Sequence, residues 1–412
     1  MGHRARCLRT GLAALLALGP ASLGRAEDLI QIDIPVLAIS ASSNDFRELG
    51  RDFLLQEGDF SSLVGTASYA ASLRYLEIPN ALLLSVANFG NQATLTIPST
   101  GLSVLFTAAS PDDLAQQVQD FIQKTGSHEW ARFLEQVNAR SPLALLDGNP
   151  RATTALAASG AFRRFGLDTS RSRLGYREEE VAHWGAFQLR AEAGGGRVDV
   201  DRFEDLYTVD GALTLAGHFG KHVGLSLALM GQYRSYQTAD SYDVGLELGI
   251  PIAILRPDDG SRLYWAITPF VQSAAGASID LAAGGLFVGG GGVNTLALEL
   301  GPLELSLANE LVYYSGIPIN NIQGYDFDTE LNQLITKNGV KLGAHLGVFY
   351  VDAGASFTNF LTSDAAVDFY ATPFVGVGVS LGGLANLRLG YEADLGQDYT
   401  AHSGRLKLDF HF

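Results

Sequence analysis

The sequence predicts a mainly β protein, a transmembrane antiparallel β-barrel of about 12 strands preceded by a small α+β module. Three observations predict it. Apolar and polar residues alternate one for one through the second half of the chain. The composition has 47 glycines and 10% aromatic residues against 2 methionines, which suits sheet better than helix. After the first residues no apolar run is long enough for a spanning helix, and only helices and closed barrels satisfy their backbone groups in lipid.

The alternation is clearest at the end of the chain. Leu406, Leu408, Phe410 and Phe412 share one face; Arg405, Lys407, Asp409 and His411 share the other. Side chains alternate faces along a strand, so one face is apolar and its reverse polar. The pattern recurs upstream. Leu387, Leu389, Tyr391, Ala393 and Leu395 oppose Arg388, Gly390, Glu392 and Asp394. Val223, Leu225, Leu227 and Leu229 oppose Gly224, Ser226 and Ala228, and Tyr242, Val244, Leu246 and Leu248 oppose Asp243, Gly245 and Glu247. Leu303, Leu305, Leu307, Leu311 and Tyr313 oppose Glu304, Ser306, Ala308 and Glu310. Such segments of ~10 residues between turns are the mark of strands that meet lipid outside and water or protein inside.

A chain ending on an amphipathic strand with a terminal aromatic resembles the C-terminal signature of Gram-negative outer-membrane β-barrels. The resemblance rests on Leu406, Leu408, Phe410 and Phe412. It implies that the assembly machinery for such barrels reads this strand, and that outer-membrane lipid and lipopolysaccharide surround the barrel. The other end agrees with it. Arg4, Arg6 and Arg9 precede the apolar run Leu12 to Leu18, then Gly19-Pro20 and small residues to Ala26, which reads as a cleaved signal peptide over 1–26. Cys7, the single cysteine, lies inside it. The mature chain is then free of cysteine and carries 24 basic against 44 acidic residues, since four of the 28 basic residues leave with the peptide. That charge of 24 − 44 = −20 argues against a nucleic-acid partner.

Connection lengths place the strands from about residue 184 to 412. Tight turns are expected at His218 to Lys221, Pro257 to Gly260, Gly301-Pro302, Leu346-Gly347 and Gly382 to Ala385. Longer loops are expected at Gly194 to Asp205, Ser235 to Ser241, Ala274 to Gly290, Ser315 to Glu330, Thr362 to Val367 and Gly396 to Thr400. Short periplasmic turns with longer outer loops is the usual arrangement.

Residues 27–183 lose the alternation and read as an α+β module. Ser110 with Pro111, Asp112 and Asp113 is a helix start, followed by Leu114, Val118, Phe121 and Ile122 at helical spacing. A second helix begins at Ser127 and carries Trp130, Phe133, Leu134 and Val137 on one face; Asn149-Pro150 starts a third. Ala81 to Val86, Ala93 to Ile97 and Leu102 to Thr107 read as short strands. This module hangs in the periplasm or plugs the lumen, and the charged linker Arg163 to Glu180 favours a separate body.

No catalytic motif is present. The histidines are scattered without metal-ligand spacing, no G-x-S-x-G elbow precedes a helix, and the glycine run 284–292 lacks the lysine and helix of a phosphate loop. The acidic stretch Asp199 to Asp205 lacks the glycine and terminal glutamate of a calcium loop. The expectation is therefore a non-enzymatic barrel without cofactor or metal. Its functional candidates are the charged residues predicted to face inward: Arg234, Glu247, Glu304, Glu310, Lys341, Asp352, Arg388, Glu392, Arg405, Lys407 and Asp409. They either pair into a polar core or line a path for solutes. The leading expectation is a narrow or gated channel for small polar solutes with the N-terminal region as plug or periplasmic module. The alternatives are a non-conducting structural or assembly barrel and an autotransporter-like translocator, a family also about 12-stranded. A short, mixed N-terminal region ranks the last reading lowest.

Overall fold

The computed structural model describes residues 28–122, 127–167, 187–200, 203–219, 222–236, 239–255, 262–322, 325–327, 331–362, 364–381 and 385–411. The expected signal peptide, the turn at 257–260, Phe412 and most of the charged linker lie outside these residues.

The N-terminal part is one antiparallel sheet with helices on a single face. Its strands are β1 (Ile30–Ile34), β2 (Ile39–Ser43), β3 (Ser68–Tyr75), β4 (Ile78–Ala87), β5 (Gln92–Ile97) and β6 (Leu102–Thr107), in the spatial order β2-β1-β3-β4-β5-β6. Helix α1 (Phe46–Leu55) starts at Asp45, whose carboxylate accepts from the backbone of Arg47 at 2.8 Å and Glu48 at 3.1 Å. Its apolar stripe of Phe46, Leu49, Phe53 and Leu54 is buried on the sheet. Helix α2 (Pro111–Asp120) starts where the sequence indicates, with the Ser110 hydroxyl accepting from the Asp113 N–H at 3.2 Å. In α3 (Ser127–Arg140), Trp130, Phe133, Leu134 and Val137 are buried. Trp130 and Phe133, 4.8 Å apart, pack with Phe46 and Tyr75 at centroid separations of 5.3 to 6.2 Å. The first three strands and α1 are not among the elements expected from the sequence, although β1 alternates strictly as Ile30-Gln31-Ile32-Asp33-Ile34 and α1 carries Phe46, Leu49 and Phe53 at helical spacing.

The C-terminal part is a closed barrel of 12 antiparallel strands. They are β7 (Phe187–Val200), β8 (Phe203–His218), β9 (Gly224–Tyr236), β10 (Ala239–Gly249), β12 (Leu263–Ser278), β13 (Ala283–Leu300), β14 (Leu303–Ile317), β17 (Asn332–Leu346), β18 (Phe349–Phe360), β19 (Phe369–Leu381), β20 (Ala385–Gly396) and β21 (Tyr399–His411). Three short strands accompany them: β11 (Ile252–Leu255), hung on β12, and the hairpin β15 (Ile319–Ile322) with β16 (Tyr325–Phe327). Two registers close the ring, Tyr242 to Gly249 against Phe270 to Ala277 and Thr400 to His411 against Gln188 to Asp199. No edge is left among these strands, as lipid requires.

The expected faces are observed. Leu213, Leu215, Leu227, Leu229, Val244, Leu246, Val271, Leu307, Leu311, Leu342, Val375, Val377 and Leu389 stand exposed around the outside. The polar residues that alternate with such positions, among them Ser226, Glu247, Thr268, Ser306, Glu310, Lys341 and Asp352, are buried inside. Exposed aromatics rim this belt: Tyr207, Tyr242, Tyr313, Phe357, Phe369 and Tyr391 towards one mouth, Phe187, Phe219 and Phe349 at the other.

Two expected loops are strand instead. Residues 194–200 belong to β7, and 274–278 with 283–290 belong to β12 and β13. The strands run to 16 and 18 residues, longer than the ~10 that cross a bilayer. Small residues blur the alternation there, so length and composition imitate a loop. The glycine run 284–292 is ladder, paired from Gly284↔Ala277 to Gly292↔Pro269. A Cβ at Gly289 would come 2.4 Å from the Tyr314 ring, so this strand has glycine where a neighbour's side chain lies.

Candidate functional site: a lumen occupied by the chain itself

The barrel begins at Phe187 and ends beside it, and we call the mouth at these ends the near mouth. The far mouth is formed by the turns after Val200, Tyr236, Ser278, Phe360 and Gly396 and by the β15–β16 hairpin. The N-terminal sheet and helices rest on the far mouth. Phe46 N–H donates to the Asp280 carbonyl at 2.7 Å, the Tyr75 hydroxyl to Leu281 at 2.5 Å, and Trp130 Nε1 to Ala282 at 2.8 Å. Across the rim, Ala366 and Val367 N–H donate to Asn138 and Gly148 at 3.0 and 2.9 Å.

From there the chain descends into the barrel. Residues 143–152 enter, and helix α4 (Thr153–Ala161) continues into a π-helical turn, Phe162–Leu167. The helix starts at Ala152, three residues beyond the sequence-based expectation at Asn149-Pro150. Its sequence, TTALAASGA, is buried on every side rather than along a stripe. A helix with ordinary side chains is ~10–12 Å across; alanine, glycine, serine and threonine make this one slim enough for the lumen. The wall yields at matching places. A Cβ at Gly276 would sit 2.1 Å from Thr153 Oγ1, one at Gly249 2.4 Å from the Phe165 ring, and one at Gly339 2.8 Å from the Phe162 ring.

Polar contacts bind this segment to the wall at three levels. Nearest the far mouth, Arg151 pairs with Asp394 at 2.9 Å and donates to Ser403 at 3.0 Å. There Arg234 donates to the carbonyls of Arg151 and Leu145 at 3.0 and 3.2 Å while pairing with Asp243 at 2.9 Å. Thr153 completes that group on Asp243 at 2.5 Å, and Gln333 donates to Asp147 at 2.9 Å. At mid-lumen Gln272 donates to the Ala157 carbonyl at 3.1 Å and Lys337 to Ser159 at 2.8 Å. Arg164 forks onto Glu247, Nε to Oε1 at 2.7 Å and Nη2 to Oε2 at 2.6 Å, with both side chains almost wholly buried. Towards the near mouth Thr295 donates to the Phe165 carbonyl at 2.8 Å, and Lys341 donates to Leu167 and pairs with Glu304 at 3.1 Å. Arg163 reaches Glu392 at 3.3 Å, so consecutive arginines hold different strands of the wall.

All the inward residues expected from the sequence lie on the inner face. Arg234, Glu247, Lys341 and Glu392 hold the descending segment directly or share its partners. Arg405 bridges Asp210 at 2.7 Å and Glu392 at 2.8 Å; Arg388 pairs with Asp352 at 2.8 Å; Asp409 takes Arg190 at 2.6 Å and Lys407 at 3.6 Å. Glu304 serves Lys341, while both carboxylate oxygens of Glu310 are buried without a hydrogen-bond partner. The sequence reading missed the other half of the network: Arg190, Asp210, Asp243, Gln272 and Lys337 on the wall, and Arg151, Arg163 and Arg164 on the segment. Alternation had already put Asp243 on the inner face. The arginines gave no such signal, because they flank a helix with no amphipathic period, Arg151 just before it and Arg163 and Arg164 in the π-helical turn after it. The expectation that Arg163 opens a separate charged linker is corrected: Arg163 and Arg164 are inside the barrel, because buried carboxylates of the wall compensate them.

Among the described residues no three His, Cys, Asp or Glu side chains cluster as a metal site, and Asp199 pairs with Arg197 at 2.7 Å. A cavity of about 70 Å³ remains between segment and wall, beside Arg163, Lys337, Arg388 and Glu392.

No protein-family model and no curated protein matches this chain. Solved structures resemble it in part. The translocator domain of the autotransporter NalP from Neisseria meningitidis is 17% identical, with a TM-score of 0.38 over 63% of this chain and 100% of that one. The beta domain of the Bordetella autotransporter Brka is 17% identical, with a TM-score of 0.39 over 55% and 100%. An outer membrane channel from Pseudomonas putida is 12% identical, with a TM-score of 0.41 over 56% and 96%. These scores are low, and the assignment stands on strand pairing and the apolar belt. The chain is a transmembrane antiparallel β-barrel of 12 strands, occupied from within by its own N-terminal segment.

Proposed function

We propose that this is an outer-membrane barrel that holds its N-terminal module, residues 28–142, on the cell surface and seals its own lumen with the connecting segment 143–167. One observation carries the reading: the chain passes through the barrel, so the module and the barrel's two ends lie at opposite mouths. Bacterial barrels with an even number of strands keep both ends and short turns in the periplasm, which puts the far mouth outside. The translocator-like alternative accommodates this directly. A secreted precursor with a cleaved signal peptide, an assembly machinery engaging Leu406, Leu408 and Phe410, and a belt bathed in lipid and lipopolysaccharide belong to the same proposal.

A gated channel for small polar solutes is the second reading, favoured by the dense charge of the inner wall. In that reading the structure is the closed state, and Arg234, Glu247, Glu310, Lys341, Arg388 and Arg405 line the path once the segment moves.

Cysteine labelling tests the main reading. Ser61 in the module and Pro302 at the near mouth are both exposed. With Cys7 as the single native cysteine, Ser61→Cys should react with a membrane-impermeant maleimide on intact cells, and Pro302→Cys only after the envelope is opened. The reverse pattern refutes surface display.

A further inference from the structure

The N-terminal module frames an open-sided cavity that its own side chains do not fill. The cavity, of about 460 Å³, lies between the middle of the sheet and the pair α1 and α2. Its floor includes Leu73 and Leu84, half-buried although they sit on central strands, beside fully buried Leu82 and Leu95. Its roof is Phe53 and Val118. Small residues keep it open: Ala71 in the floor, Ala115 on α2 and Gly50 on α1. A Cβ at Gly50 would meet nothing within 4 Å. Glycine inside a helix lowers stability relative to alanine by ~0.5–1 kcal/mol, and no close packing at Gly50 requires it.

The chemistry of the lining narrows the occupant. Apolar cavities of ~300–1,000 Å³ with a few polar groups are the usual form of small-molecule sites. The polar groups here, Arg47, Glu48, Arg51 and Gln119 among them, come from the two helices, while the sheet floor is wholly hydrocarbon. At ~30 Å³ per water-sized group, the space holds on the order of 15 such groups, a medium-length alkyl chain. Arg47 and Arg51 stand one turn apart at the rim, their side chains 40% and 59% exposed. Arg47 lies 3.9 Å from Asp45, whose carboxylate also caps the helix, and Arg51 donates to Asp52 at 3.2 Å; both pairs are solvent-exposed, where an ion pair contributes little and a ligand carboxylate can share the guanidinium.

We propose that this cavity binds one medium-chain fatty acid, its chain along Leu73, Leu84 and Val118 and its carboxylate at Arg47 and Arg51. The site belongs to the module and does not depend on which mouth faces the cell exterior.

The test uses the full chain in lipid nanodiscs and dodecanoate carrying a diazirine on its chain. After irradiation, peptide mapping should show labelling of α1, α2 and β3–β4, with labelling of the barrel's lipid belt as internal reference. Gly50→Phe fills the space and should lower the module label at least tenfold relative to the belt. Leu84→Phe fills it from the sheet side and should do the same if the first variant fails to fold. Module labelling that is absent, or unchanged in the filled variant, overturns the proposal. The same chain with a trimethylammonium head should label the module several-fold more weakly, and Arg51→Glu should narrow that difference. Equal labelling by both heads overturns the carboxylate assignment.

Discussion

The contact between Arg164 and Glu247 is the sharpest place to perturb the sealed lumen. The guanidinium makes two short hydrogen bonds, 2.7 and 2.6 Å, to a carboxylate whose side chain has no solvent exposure. Removing one partner of such a pair leaves a buried uncompensated charge, which costs about 3–5 kcal/mol. The cost falls on the state in which the segment is seated. At ~1.4 kcal/mol per tenfold, Glu247→Ala should therefore shift the balance towards an unseated segment by a factor of roughly a hundred to several thousand. Glu310, buried without a hydrogen-bond partner on β14, interacts electrostatically with the same pair and offers a substitute carboxylate. Adding Glu310→Gln to Glu247→Ala should enlarge the effect. The assay is single-channel recording in planar bilayers: wild type quiet, Glu247→Ala opening intermittently, the double variant more often. Arg164→Met with Glu247→Leu supplies the opposite control, since an apolar pair of similar volume usually matches a buried ion pair in stability; it should be nearly as quiet as wild type. If Glu247→Ala is as silent as wild type while the barrel remains folded, the pair does not hold the lumen shut and the reasoning fails.

Three further outcomes are expected. Leu227 lies exposed on the outer belt, in register with Leu215 and Leu248, so Leu227→Arg should cost ~2–4 kcal/mol near mid-bilayer in denaturant unfolding from lipid vesicles; a neutral result removes it from the lipid face. Gly276→Val places atoms where Thr153 lies, so it should raise conductance while leaving heat-dependent gel mobility of the barrel unchanged; loss of the barrel itself would contradict this. Asp45→Ala removes the cap of α1 and should lower the module's stability by ~1 kcal/mol in thermal unfolding, without altering the lipid-embedded part.

Much of the barrel was legible because lipid imposes a local rule. Each outward position meets hydrocarbon whatever its neighbours do, so Leu227, Leu246, Leu307 and Leu389 announce a period of two that needs no knowledge of the partner strand. The same rule placed Glu247, Lys341 and Arg405 inside. It failed at 194–200, 274–278 and 283–290, where glycine and alanine are frequent, carry no preference for either face, and only pairing decides that they are strand. In the module, the Ser110 cap and the Trp130 to Val137 stripe were readable as local signals of the same kind, and the alternation of Ile30, Ile32 and Ile34 in β1 and the spacing of Phe46, Leu49 and Phe53 in α1 are further ones that went unassigned.

The sequence by itself determined the closed sheet, its two faces and the charged inventory of the lumen, because alternation and burial act residue by residue. What only the tertiary structure decided is where the N-terminal segment goes. A helix of small residues enclosed on all sides has no amphipathic stripe to betray it, and the carboxylates that compensate Arg151, Arg163 and Arg164 lie 59 to 243 residues further along the chain. Long-range charge pairing, invisible to any local pattern, puts the module at the mouth opposite the barrel's ends.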